Sequence, residues 1–367
     1  MKKEDVASEN VEQSQETVEP TQVVSRERIS PIQKAMGELV VQLENVANGD
    51  LVADIVKDAV KLLRDQTNRG DIKLISKSFS ELRYSLKVFA PYRDIRKVSI
   101  FGSARTPESH QDYQQAASFA RQMAASGWMV TTGAGGGIMA AGHGGAGAKP
   151  SFGLAIRLPF EQKTNPFIAD DPKLIHFKYF FTRKLIFVRF SHAVVLFPGG
   201  FGTMDEGFEV LTLVQTGKSV PMPIVFIDRP GGDYWSSWQR YVKTQLLERG
   251  LIGEDDMSLY KITDSIDAAV REVRHFYNNY HSLRYWKDLL VMRLQQAPTP
   301  AQLRELDGEF ADIKVSGEFR VSPALKAEQD EPAIARLPRL TFHFNKREHG
   351  RLRMLIDRLN DMKSGVD

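Results

Sequence analysis

The sequence predicts an α/β fold in which a mainly parallel sheet is covered by helices on both faces. Two observations carry this. From Arg96 onward, short apolar runs rich in β-branched and aromatic residues alternate with stretches of helical period. Several of those runs stop at glycine-rich turns that open directly into a helix, the pattern of a parallel sheet feeding its covering layers.

Taken in order, Val98-Ser99-Ile100-Phe101 is a strand ending at Gly102-Ser103. A helix from Asp112 to Ala125 follows, closed by Gly127. Trp128–Thr132 is a second strand, and Gly133-Ala134-Gly135-Gly136-Gly137 turns the chain into another helix. Further strands are expected at Phe152–Leu158, Leu174–Tyr179, Ala193–Phe197 and Pro223–Ile227. Helices are expected at Thr182–Arg189, Thr203–Thr216, Trp235–Glu248 and Ser265–Tyr277. This is a Rossmann-like, doubly wound arrangement spanning residues 96–281.

The flanks read differently. Residues 1–28 are rich in Glu, Gln, Ser, Thr and Val without period, the composition of a disordered tail. Residues 29–95 form a helical extension: apolar side chains recur at helical spacing in three stretches, broken at Asn48-Gly49 and Asn68-Arg69-Gly70. Residues 282–367 form a small C-terminal α+β module. It has a helix start at Thr299-Pro300, an alternating strand over Arg339–Phe344 and an amphipathic last helix through Leu352, Leu355, Ile356, Leu359 and Met362. Val315–Asp330 is mostly polar and carries no clear period.

Composition narrows the function classes. The chain has 367 residues, 42% of them hydrophobic and 26% charged, which is ordinary for a globular protein with a self-sufficient core. With no cysteine, thiolate nucleophiles, disulfides and Cys-ligated metals are excluded. A net charge of +3 gives no argument for a nucleic-acid partner. The absence of any long apolar run or apolar leader points to a cytoplasmic-type protein with no membrane partner. Charge is uneven: residues 1–25 carry two lysines against six acids, and residues 336–363 carry eight basic residues against three acids. Both stretches read as solvated surface.

The chemistry concentrates in loops. Val194–Phe197 runs into Pro198-Gly199-Gly200-Phe201-Gly202-Thr203, a glycine-rich turn leading to a helix. Such a turn lets the backbone approach a ligand, and a helix N-terminus offers unpaired N–H groups to a phosphate. The plain alternative is a Thr203–Glu206 capping box that only starts the helix. Gly133–Gly137 and Phe101-Gly102-Ser103-Ala104-Arg105 supply two further small-residue turns at strand ends, enough for a nucleotide-sized crevice. A dinucleotide fingerprint and a Walker pattern are both missing, which favours a mononucleotide. Arg183-Lys184 lies between Phe180-Phe181 and an apolar run, so its cations need partners and could clamp a phosphate. The histidines form no metal constellation; His143 is the one near the presumed site and a candidate for ligand contact.

These residues are similar to those of the LOG (Lonely Guy) family of cytokinin riboside 5′-monophosphate phosphoribohydrolases and their bacterial relatives, often labelled lysine decarboxylases. Pro198-Gly199-Gly200-Phe201-Gly202-Thr203-Met204-Asp205-Glu206 resembles the family's PGGxGTxxE signature. Arg183-Lys184 matches its upstream pair, and Phe101-Gly102-Ser103 its first strand end. The resemblance covers roughly residues 96–280. One departure is Ala140, where the family's counterpart of the Gly133–Gly137 loop commonly has an acid.

The resemblance implies a hydrolase that cleaves the N-glycosidic bond of a nucleoside 5′-monophosphate, AMP or a related purine nucleotide, to free base and ribose 5-phosphate. It assigns Glu206 the stabilisation of a sugar cation or the positioning of water, with Arg183 holding phosphate or ribose and orienting Glu206. Gly199, Gly200, Gly202 and Thr203 would cradle the phosphate, with Ser103, Gly135, Gly136, Met139 and Lys184 as further substrate contacts. No metal and no cofactor are implied, and a homodimer or higher homo-oligomer is. The alternative is a nucleotide-binding sensor or carrier without turnover, motivated by Ala140 and the flanking modules. A pyridoxal-phosphate decarboxylase using Lys184 is the third reading.

Overall fold

A computed structural model describes residues 26–43, 45–158, 163–329 and 331–362. Residues 1–25 of the expected disordered tail lie outside these, and 26–28 belong to a helix. The chain divides into two compact units, one up to Ser80 and one from Glu81.

The first unit is helical: α1 (Arg26–Leu43), α2 (Gly49–Arg64) and the first part of α3 (Arg69–Phe89). The first helix begins at Arg26, ahead of Pro31. Asn48 adopts a left-handed φ of 60° and lets α2 start at Gly49, as the Asn-Gly break suggests.

In the second unit the chain alternates β1 (Lys97–Phe101), α4 (Gln111–Ala125), β2 (Met129–Thr132), α5 (Ile138–Ala146), β3 (Ser151–Ile156) and β4 (Leu174–Phe177). It continues through α6 (Phe180–Phe190), β5 (Ala193–Leu196), α7 (Phe201–Gln215), β6 (Ile224–Ile227), α8 (Tyr234–Tyr241), β7 (Lys261–Thr263) and α9 (Ile266–His275). The expected single helix over 235–248 is instead α8 followed by a wider π-type turn, Val242–Leu247. The seven strands form one parallel sheet in the order β4-β3-β2-β1-β5-β6-β7.

The pleat explains the two covered faces. Val98, Ile100, Val130, Val195, Val225 and Ile227 pack with α4, α5 and α9 on one side. Phe101, Met129, Val194, Leu196, Ile224 and Phe226 pack with α6, α7 and α8 on the other. The end of α3 joins this second layer, with Phe89 stacked between Phe152 and Phe190 at ring separations of 4.1 Å. The winding direction reverses between β1 and β5, so the crevice of this fold lies beyond the ends of those two strands.

After α9 come β8 (Tyr280–Trp286), β9 (Leu289–Leu294), α10 (Pro300–Glu309), β10 (Lys314–Ser322), β11 (Arg339–Phe344) and α11 (His349–Asp361). The four strands form an antiparallel sheet ordered β10-β11-β9-β8. Leu290, Met292, Leu294, Leu340, Phe342 and Phe344 face α10 and α11. The helix start at Thr299-Pro300 is a capping box with Gln302. On the opposite face Arg293 and Arg339 stand directly across from each other, which alone would repel. Buried Glu328 lies between them: Arg293 Nε donates to one carboxylate oxygen at 2.8 Å and Arg339 Nε to the other at 3.0 Å. Despite burial, these hydrogen bonds hold the Glu328 carboxyl down to about 2.

Because that folded value lies below the ordinary 4.5, the contribution is present above about pH 4.5 and is lost as the pH falls towards 2. Glu328→Gln leaves buried Arg339 without its counter-charge and buried Arg293 with Glu331 alone. It is expected to destabilise the chain by about 3–5 kcal/mol, read by urea unfolding at pH 7.

Candidate active site

Three loops meet at the reversal between β1 and β5. The Ser103 N–H donates to the Pro198 carbonyl at 3.0 Å, tying the turn after β1 to the turn after β5. The Ser103 carbonyl accepts from the Ile138 N–H at 3.0 Å, tying the same turn to the start of α5. Two glycines make this closeness possible. A Cβ on Gly199 would lie 2.1 Å from Thr203 Oγ1 and 3.0 Å from the Ser103 nitrogen. Gly137 has φ +58° and a Cβ there would meet the Ser103 oxygen at 2.2 Å. Tyr234, at the start of α8, donates its hydroxyl to the Gly199 carbonyl, a contact no sequence motif signals.

The helix after the second glycine loop starts at Phe201, two positions earlier than expected, with Gly200 in extended conformation as its cap. The capping-box reading therefore falls: Thr203 lies in the first turn, its N–H donates to the Gly200 carbonyl, and it makes no side-chain cap. Its side chain is buried and lies against Gly199. Glu206, one turn further on, faces inward and is only 3% exposed.

Opposite Glu206 stands Arg183, on α6. Arg183 Nη2 is 3.5 Å from Glu206 Oε1. The guanidinium carbon also lies 5.1 Å from the centre of the Phe180 ring and 5.7 Å from that of Phe187. Burial lowers the Arg183 pKa, while Glu206 and Asp205 pull it back. Arg183 Nε is buried without a partner among the described residues. Burial pushes the Glu206 carboxyl up to about 7, against the opposing pull of Arg183 and Lys184. What fixes Arg183 is the start of α6. Buried Glu81, on α3, accepts the Lys178 N–H and the Thr182 hydroxyl, both at 2.7 Å. This clamp, 101 positions away in sequence from Thr182, has no local signal.

Gly133 joins the first glycine loop to Arg183: a Cβ there would lie 2.7 Å from Met139 Sδ and 3.7 Å from Arg183 Nη1. Ser103, Gly135, Gly136, Met139, Arg183, Gly199, Gly200, Gly202, Thr203 and Glu206 thus belong to one region of the fold. Lys184 is directed elsewhere. Its ammonium pairs with Asp205 at 2.8 Å and Glu209 at 2.7 Å, linking α6 to α7. Burial lowers its pKa, but those two acids more than offset this and leave it raised. An amine so held is poorly prepared to form a Schiff base. His143, the candidate for ligand contact, is fully buried in a hydrogen-bonded network with Thr132 and Phe152 and presents no exposed surface.

Fold and site together define a Rossmann-like protein with a buried carboxylate–guanidinium pair at a glycine-lined switch point. The family model described as possible lysine decarboxylase matches residues 135–273, a segment holding both Arg183 and Glu206. The LOG-family resemblance is borne out there. No curated protein matches the chain. Among solved structures, it is similar to the molybdenum cofactor binding protein of Rippkaea orientalis, at 18% identity over 49% of this chain and 96% of that one, TM-score 0.35. The molybdenum cofactor carrier protein of Chlamydomonas reinhardtii matches at 19% identity over 49% and 96%, TM-score 0.35. DNA processing protein A of Helicobacter pylori matches at 14% over 48% and 79%, TM-score 0.31. Among the described residues no helix is long and apolar enough to cross a membrane.

The raised Glu206 pKa has a consequence for folding. Its folded value exceeds the unfolded 4.5, so stability falls as the pH rises from about 4.5 to about 7 and stays reduced above. Glu206→Gln is expected to raise the melting temperature at pH 8 and to change it much less at pH 5, read by thermal unfolding at both values.

Proposed function

We propose that the chain hydrolyses the N-glycosidic bond of a nucleoside 5′-monophosphate, releasing free base and ribose 5-phosphate. The observation that supports this most directly is the burial of Glu206 beside Arg183 at the point where three glycine-bearing loops meet. The phosphate docks on the turn from Gly199 to Thr203, where the first N–H groups of α7 and the helix dipole favour an anion. Gly200 and Gly202 have open space where a Cβ would stand, so a ligand can lie against their backbone.

With the phosphate there, the ribose lies towards Glu206. Cleavage develops positive charge on C1′ as the C1′–N bond breaks and its electron pair leaves with the base. The ionised Glu206 carboxylate stabilises that charge and takes a proton from the attacking water, whose oxygen forms the new bond to C1′. The proton is then relayed to the departing base. Arg183 holds the carboxylate in place and supplies donors to the phosphate or ribose. The apolar side chains Phe180, Phe181 and Leu185 on α6 and Phe208 on α7 are exposed, and this reading gives them a second copy of the chain as partner.

The test is release of base and ribose 5-phosphate from a panel of nucleoside 5′-monophosphates. Turnover is expected for at least one purine nucleotide. Its kcat/KM should fall about tenfold per unit below pH 7, as Glu206 becomes protonated. Glu206→Ala should remove turnover, and Gly202→Ala should weaken AMP binding while the fold stays intact. Retained AMP binding without release of base from any nucleotide would leave a sensor or carrier in place of an enzyme.

A further inference from the structure

The connection between β3 and β4 contributes one residue to the site's first glycine loop. The Asn165 N–H donates to the Ala134 carbonyl at 2.9 Å, and Asn165 Nδ2 donates to the Gly135 carbonyl at 3.0 Å. Asn165 is 4% exposed and is itself held by His143, whose Nδ1 lies 3.1 Å from Asn165 Nδ2. His143 Nε2 lies 3.0 Å from the Phe152 carbonyl, which can only accept, so that nitrogen carries the proton. Nδ1 is then the acceptor, and the two Asn165 amide hydrogens are divided between His143 and Gly135. Burial lowers the His143 pKa, consistent with this neutral form.

The loop held in this way is not relaxed. Ala134 has φ +63°, an uncommon conformation for a residue with a side chain, and is fixed on both sides. Its N–H donates to Thr132 Oγ1 at 3.0 Å, and Thr132 Oγ1 lies 3.2 Å from His143 Nε2. In a planar trans peptide the N–H points opposite to the carbonyl. Capturing the carbonyls of Ala134 and Gly135 therefore turns the N–H groups of Gly135 and Gly136 away from Asn165. Among the described residues neither N–H meets a protein acceptor, and both precede the N-terminus of α5. Successive unpaired N–H groups in such a turn form a concavity for an anion.

We propose that Asn165, oriented by His143, is the positioning residue that holds the loop 133–137 open as a second anion-binding surface, facing the phosphate-bearing part of the substrate. The proposal rests on the nucleotide reading of the site. Asn165 touches no reacting atom; it acts through the backbone of Ala134 and Gly135.

The test compares the unaltered chain with Asn165→Ala and with the near-isosteric Asn165→Asp, which keeps the backbone bond but cannot donate to Gly135. Three quantities are read: KM and kcat on the best nucleotide, the Kd for inorganic phosphate by calorimetry, and the melting temperature. Loss of the latch is expected to raise KM and the phosphate Kd about tenfold and leave kcat within about threefold. A purely structural role would shrink the active fraction, lowering apparent kcat and melting temperature with KM and Kd unmoved, and that result overturns the proposal. The nucleosidase reading fails separately. If the unaltered chain binds phosphate but cleaves no nucleotide, weaker phosphate binding in the variants still supports the latch. If the unaltered chain binds neither AMP nor phosphate, both fall.

Discussion

A carboxylate that must be buried, yet must carry charge to act, is the constraint around which this site is built. Glu206 sits on the inward face of α7 with one cation, Arg183, at ion-pair distance. Burial raises its pKa to about 7, so the pair stands near balance between its neutral and ionised forms at neutral pH. An acid tuned this way is a poor contributor to stability and a good one to chemistry. The surrounding structure carries the cost: Glu81 fixes the start of α6, Lys184 ties α6 to α7 through Asp205 and Glu209, and Tyr234 anchors Gly199.

The sheet supplies the place. Because the winding reverses between β1 and β5, the turns after both strands diverge and leave room between them. Hydrogen bonds through Ser103 then draw the three turns to within a few ångströms of one another. The C-terminal module follows a different logic. Its antiparallel sheet buries one face against α10 and α11, while the other is held by a carboxylate between two opposed arginines. Such a cluster specifies one arrangement of the connection between β10 and β11.

Local features were legible in the sequence and long-range ones were not. The strands β5 and β6 announce themselves as continuous apolar runs and β1 and β2 as short runs of mainly apolar or β-branched residues, because both faces are covered, and the glycine turns after β1, β2 and β5 mark their ends. Strands β7, β8, β9 and β10 went unread. The first is three residues long, and β10 is largely solvent-exposed, so neither burial nor period marks it. At the site, Thr203-Met204-Asp205-Glu206 has the spacing of a capping box, but the helix begins sooner, at Phe201 after Gly200, and Glu206 lies on its buried face. Lys184 and Arg183 are neighbours in sequence, yet only Arg183 faces Glu206 at the glycine loops, while Lys184 reaches the acids beside it on α7. Asn165 and Glu81 act through contacts far apart in the chain, and no local pattern encodes these.

The most direct measurement is a crystal structure of the Glu206→Gln chain with AMP bound. The account predicts the phosphate against the backbone of Gly200, Gly202 and Thr203, and the anomeric carbon within about 4 Å of the residue 206 side chain. AMP bound with its sugar remote from residue 206, or at another surface of the fold, would contradict it.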